Sequence, residues 1–338
     1  MKSTRILIIV FAVLGSLTAW YFLFGNDSEN STSTLGWDRQ IAVADTDEIH
    51  KIFLGRRDGE TTTLTREGRD WIVNDRYVAN ENVMENLLIA IGKVELQSQP
   101  SQAALEPIVQ DLATRGVYVQ LFDEDNQQIK AYYVGGTTPD ERGTYMIMEG
   151  SEQPYIMQLP FHDGALRTRF ALTGDRWRDK RLFRENPDDI VSLKVDYPKQ
   201  RNKSFHLQRE GNGFTVAPVY ETTTPRTDPV DPTKVRAYLT QFNSVFAEAF
   251  ENDNPAAVKR TEGIPFVQMQ LTRRDGTQRT IDLHNYLSTD NYGNTKGTEF
   301  DRFFVRISEE RNGETLNDYM LAQQRVLRHI FQPYDSFF

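Results

Sequence analysis

The chain has no cysteine, which excludes disulfides, thiolate nucleophiles, cysteine-ligated metals and a lipid carried on cysteine. Histidine is scarce and scattered, at His50, His162, His206, His284 and His329. None lies three or four residues from another, so no paired metal ligand is offered on one helix face. They read as ordinary strand, loop and helix residues. No Gly-x-Ser-x-Gly elbow occurs. The loop from Gly135-Gly136 to Gly143 is followed by neither Gly-Lys-Ser/Thr nor a helix pattern, so it is a strand connection and not a phosphate cradle. Asp123-Glu124-Asp125 and Asp188-Asp189 lack the spacing of a calcium loop and read as solvated turns. Basic residues are outnumbered, 39 Lys and Arg against 48 Asp and Glu, and no basic patch opposes the net charge of -9. That balance disfavours nucleic acid as a partner. No catalytic set emerges, no metal or cofactor is implied, and the expectation is a non-enzyme.

Long hydrophobic runs are also rare, and the one present is N-terminal. Ile6 to Phe24 is free of charge over nineteen residues, about 28 Å of helix, close to one hydrocarbon core. Lys2 and Arg5 precede it and Asp27 and Glu29 follow, which predicts a cytoplasmic N-terminus and an exported remainder. Trp20 and Tyr21 stand near its outer end. A cleavable signal peptide has a shorter core and a small-x-small exit, whereas this run leaves through Trp-Tyr-Phe-Leu-Phe-Gly. The expectation is an uncleaved single-pass anchor in a bacterial inner membrane. Residues 25–46, polar and small at first, read as a flexible tether.

What the chain does contain is a repeat. Leu64-Thr65-Arg66-Glu67-Gly68-Arg69-Asp70-Trp71-Ile72-Val73 returns as Leu207-Gln208-Arg209-Glu210-Gly211-Asn212-Gly213-Phe214-Thr215-Val216. Asp47-Glu48-Ile49 precedes the first copy and Asp188-Asp189-Ile190 the second. Each copy leads into a helix pattern. Asn80 caps one with Val83, Leu87, Leu88 and Ile91 as its stripe; Asp231-Pro232 opens the other, with Val235, Leu239, Phe242 and Phe246. A further helix is expected from Ser101 towards Leu112, kinked or shortened by Pro107. Alternating strands follow each, Val117 to Leu121 and Phe266 to Leu271, with Asp58-Gly59 and Asp275-Gly276 as turn signals. The chain is expected to close on a helix near Tyr319, Leu321, Val326, Leu327 and Ile330. The predicted fold class is therefore α+β: an N-terminal transmembrane helix (1–24), a tether (25–46), then two tandem homologous units of small antiparallel sheets with covering helices (47–183 and 184–338). Trp177, Leu182 and Phe183 are expected to pin one unit to the other.

The arrangement resembles the DUF4340 domain family of bacterial envelope proteins. The resemblance rests on the anchor, the strand and turn into Trp71-Ile72-Val73, the helix from Asn80, and Val134-Gly135-Gly136. It rests also on Thr144-Tyr145-Met146, Pro154-Tyr155-Ile156-Met157 and the segment Trp177-Arg178-Asp179-Lys180-Arg181-Leu182-Phe183. It implies a single-pass protein with an extracytoplasmic repeated α+β module, of a family often encoded beside ABC-type transporter components, including ones related to gliding motility. The leading expectation is a membrane-anchored, extracytoplasmic accessory or scaffold protein associated with an ABC-type transporter or another envelope complex. The resemblance brings no catalytic residues to place. A second reading is an extracytoplasmic module that binds a glycan or peptide for a transporter; a third is a hydrolase whose site the sequence does not advertise. Arg178, Asp179, Lys180 and Arg181 are the candidate partner-binding cluster. Tyr132, Tyr133, Tyr145 and Tyr155 are the candidate ligand platform.

Overall fold

Glycine and asparagine set the first unit's frame. The computed structural model describes residues 36–160, 164–286, 301–311 and 314–338, and the chain divides into two compact units between Asp179 and Lys180. The first unit opens with β1 (Lys51–Gly55), β2 (Thr61–Glu67), β3 (Asp70–Val73) and β4 (Tyr77–Val78). Glu67 pairs with Asp70 across a two-residue turn whose first residue, Gly68, has φ +61°. A side chain at that position would be strained, which is why glycine stands there. Asn80 then caps α1 (Glu81–Lys93), its side chain accepting from the Val83 amide at 3.3 Å. The helix buries Met84, Leu87, Ala90 and Ile91, while Val83 and Leu88 are only partly covered. The stripe is thus rotated slightly from the predicted one.

β5 (Glu95–Ser98) and α2 (Leu105–Arg115) follow. Pro107 neither kinks nor shortens α2, because it sits in the first turn, where backbone N–H groups have no acceptor to lose. Four more strands run as a meander: β6 (Val117–Phe122), β7 (Gln128–Thr137), β8 (Thr144–Met148) and β9 (Tyr155–Gln158). The single turn α3 (Arg167–Phe170) comes after them. The sheet order is β4-β3-β2-β1-β6-β7-β8-β9-β5. One face, through Ile52, Leu54, Leu64, Val119, Leu121, Tyr132 and Val134, forms the main core with α1. Neighbouring residues of a strand face opposite ways. Tyr133, Tyr145 and Ile147 therefore lie on the other face, where Ile108 and Leu112 of α2 cover them. Gly135 makes that contact possible, since a Cβ there would stand 2.7 Å from Leu112 Cδ2.

The second unit repeats this plan. After β10 (Arg181–Phe183) come β11 (Ile190–Asp196), β12 (Phe205–Glu210) and β13 (Gly213–Pro218). α4 (Pro232–Leu239) is capped by Asp231 with proline in its first turn. The short strands β14 (Val245–Phe246) and β15 (Ala249–Phe250), then α5 (Pro255–Thr261), lead into a second meander. Its strands are β16 (Val267–Arg273), β17 (Gln278–Tyr286), β18 (Arg302–Arg311) and β19 (Glu314–Gln323), followed by α6 (Gln324–Leu327). The sheet order β13-β12-β11-β16-β17-β18-β19-β15 matches the first unit from β3 to β5, strand for strand. α4 covers the core face with Val235, Tyr238 and Leu239. On the opposite face Ala257 of α5 packs with Phe304 and Leu321.

Several expectations are corrected. Among the described residues no helix is long and apolar enough to cross a membrane. The longest of them, α1, has thirteen residues, about 20 Å, and one polar face. The stretch 6–24 lies outside the described residues. The expected anchored fold is withdrawn, and with it the membrane-anchored accessory role, the inner-membrane location and the single-pass periplasmic topology; the ABC-type transporter partners, which rested on the family resemblance, are withdrawn too. The described end of the supposed tether is packed: Ile41 and Val43 are buried in the first core, and the Val43 amide donates to Ile91 O at 3.1 Å. Tyr319 and Leu321 belong to β19, and helix is confined to Gln324–Leu327. Phe246 does not extend the α4 stripe; it lies in β14 and is 51% exposed. Trp177 is buried in the first core, and Leu182 and Phe183 in the second.

Candidate functional site

A cleft of about 470 Å³ opens in the first unit beside α2, lined by Pro107, Ile108, Asp111, Arg115, Gly136, Thr137, Tyr145 and Arg167. Three local features build it. The i, i+4 spacing puts Asp111 and Arg115 on one edge of α2, and Arg115 Nε donates to Asp111 Oδ1 at 2.5 Å. Gly136 and Thr137 end β7 and Tyr145 lies in β8, which supplies the floor. Arg167 is the first residue of α3, a turn fixed by the buried side chains of Leu166 and Phe170 on either side. The Leu166 amide also donates to the buried Thr144 hydroxyl at 3.0 Å.

Arg167 is the unusual group. It is half-buried, and it donates to Arg115 O at 2.6 Å and to Val134 O at 3.4 Å. The first of these carbonyls closes α2, where the helix dipole favours a cation. Among the described residues Arg167 has no carboxylate partner, because Asp111 is held by Arg115, and Arg56, which is near enough to be felt, is held by Asp58. Burial pushes its guanidinium below the ordinary value; the Asp111 charge opposes this, and Arg56 and Arg115 add to it. It remains a cation at neutral pH. A planar donor fork with no counter-ion, set in a cleft, is suited to a carboxylate or a similar anion.

The residues singled out from the sequence are placed differently. Arg178 is 6% exposed, stacked on Tyr77 at 3.4 Å and paired with Asp175 at 2.7 Å. The Asp179 amide donates to Val78 O, and Lys180 O accepts from the Ala247 amide. Arg181 begins β10 and pairs with Phe246. The chain divides inside this cluster, between Asp179 and Lys180. Of the tyrosines, Tyr132 and Tyr155 are buried on the core face and offer no platform; the Tyr155 hydroxyl donates to the buried Asp38. Tyr133 and Tyr145 are half-buried on the α2 face, and only Tyr145 lines the cleft. Residues 161–163, and His162 with them, lie outside the described residues. Sequence reasoning missed Asp111, Arg115 and Arg167. The helical spacing of the first two was a visible signal; nothing local marked the third.

Compared with known protein families, residues 94–263 match the domain of unknown function DUF4340, about half the chain. The chain belongs to that family. The DUF4340 match takes in every residue of the cleft and runs on to the end of α5, so it spans the point at which the two units divide. No curated protein and no solved structure matches the chain.

Proposed function

We propose that this DUF4340 protein is a binding protein and not a catalyst, and that the cleft of its first unit holds an anionic group of a ligand. The observation that carries this is Arg167, a half-buried guanidinium with carbonyl partners and no carboxylate. Taking a charge out of water is costly unless an opposite charge meets it, and two carbonyl dipoles offset only part of that cost. A ligand anion supplies the rest. The cleft's own chemistry suits holding over proton transfer, because arginine keeps its proton and Asp111 is tied to Arg115.

The test is a titration of the full chain with sodium acetate against sodium chloride at equal ionic strength, followed by unfolding temperature. A ligand that binds only the folded state raises that temperature with its concentration. Acetate should stabilise the wild type saturably and leave Arg167→Gln unmoved. An equal acetate response in Arg167→Gln, or none in the wild type, refutes the reading.

A further inference from the structure

We infer that the occupant of this cleft is a zwitterion, a free α-amino acid with an apolar side chain; the inference rests on the anion-binding reading above. Both contacts from Arg115 fall on Asp111 Oδ1. Asp111 Oδ2 has no hydrogen-bond donor among the described residues, and it stands 3.3 Å from where a Cβ at Gly136 would be. The absence of a side chain at Gly136 is what leaves that oxygen open. Asp111 and Arg167 are close enough for each to act on the other's charge, yet they form no ion pair. The cleft therefore presents one unused acceptor and one uncompensated cation.

A simple anion satisfies only half of this. Its charge would lie on Arg167 and be repelled by Asp111, since like charges at short range oppose each other. A ligand with an ammonium beside its carboxylate meets both groups: the carboxylate lies on the Arg167 fork and the ammonium donates to Asp111 Oδ2. An α-amino acid carries those two groups on one carbon. Pro107, Ile108 and Tyr145 line the same cleft and provide apolar surface for its side chain. A volume of about 470 Å³ falls within the range of small-molecule sites.

The experiment compares three probes on the full chain by calorimetric titration: L-leucine, N-acetyl-L-leucine, which keeps only the negative charge, and L-leucinamide, which keeps only the positive. L-Leucine should bind about tenfold or more tighter than either analogue, as expected when a site's polar group is left unmatched. Asp111→Asn should bring leucine down to the level of its acetyl derivative. The wild-type series stands on its own if that variant folds poorly. Acetyl-leucine binding as tightly as leucine, with loss in Arg167→Gln, overturns the zwitterion and leaves the anion site intact. Failure of all three probes together with acetate overturns both.

Discussion

Arg66 and Arg209 make the same contacts at the same place in the two units. Arg66 Nε donates to Ile49 O at 3.1 Å and Arg209 Nε to Ile190 O at 3.1 Å. Their second nitrogens reach Thr46 O at 3.0 Å and Pro187 O at 2.8 Å. Each guanidinium also lies over the aromatic residue beyond the glycine turn, Trp71 at 5.0 Å and Phe214 at 4.8 Å. The arginine thus ties the segment entering each sheet to its second and third strands, and this joint recurs in both units while much of the surrounding sequence differs.

Replacing either arginine by alanine should cost about 1.5–3 kcal/mol, the range for hydrogen bonds made by a charged group. Lysine should restore little, because it lacks the fork. Urea unfolding of Arg66→Ala, Arg209→Ala and the lysine pair measures this; full stability in both lysine variants would show that charge alone suffices.

Glu185 is the centre of a buried ion network in the second unit. It is 3% exposed and accepts from Arg273 at 2.5 and 3.1 Å and from Arg279 at 2.9 Å. Desolvation alone would raise its carboxyl, but the two guanidinium groups bring it below the ordinary value. Glu185→Gln should cost about 1.5–3 kcal/mol, the range for hydrogen bonds to charged groups, since it takes the buried carboxylate from Arg279 and Arg273 and leaves both with Glu309 alone. Chemical denaturation checks it, and a loss below about 1 kcal/mol would place those charges in water.

Gly116 ends α2, and a Cβ there would stand 2.3 Å from Leu112 O. That is backbone, which cannot swing aside. Gly116→Ala should destabilise by about 1–3 kcal/mol and displace Arg115 O, to which Arg167 donates. Thermal unfolding reads the first effect and acetate binding the second; an alanine variant of unchanged stability would contradict the contact.

Two histidines make stability depend on pH. His284 is 2% exposed, and desolvation lowers its pKa, with Asp282 opposing and Arg306 and Arg260 adding. Desolvation and then Lys194 lower His206. The folded imidazoles take their protons at lower pH than the unfolded ones, so the unfolded chain binds more protons in between. Stability should be complete above pH of about 6.5 and fall as pH drops through that value towards the folded pKa values. Urea midpoints from pH 8 to 5 measure this, with a shallower fall in His284→Gln. A wild-type midpoint that rises on acidification would contradict it.

Much of the frame was legible in local chemistry. The turn glycines Gly68 and Gly211, the caps Asn80 and Asp231 and the Asp-Gly reversals each act through their immediate neighbours, so sequence alone locates them. β19 was misread because Tyr319-Met320-Leu321-Ala322 is an unbroken apolar run without alternation, and its pairing with β18 is what makes it a strand. Tyr132 and Tyr133 were grouped although strand alternation already sends one into the core and the other to the α2 face. The cleft was invisible for a different reason. Arg167 reaches Arg115 O across 52 positions of sequence, and only the folded sheet brings them together.

The most direct test of the central claim is amide chemical-shift mapping of the full chain during addition of L-leucine. Binding in the cleft predicts saturable shifts concentrated at Asp111, Arg115, Gly136, Thr137, Tyr145 and Arg167, absent in Arg167→Gln. Shifts centred elsewhere, or none at millimolar leucine and acetate alike, would contradict the cleft as this protein's binding site.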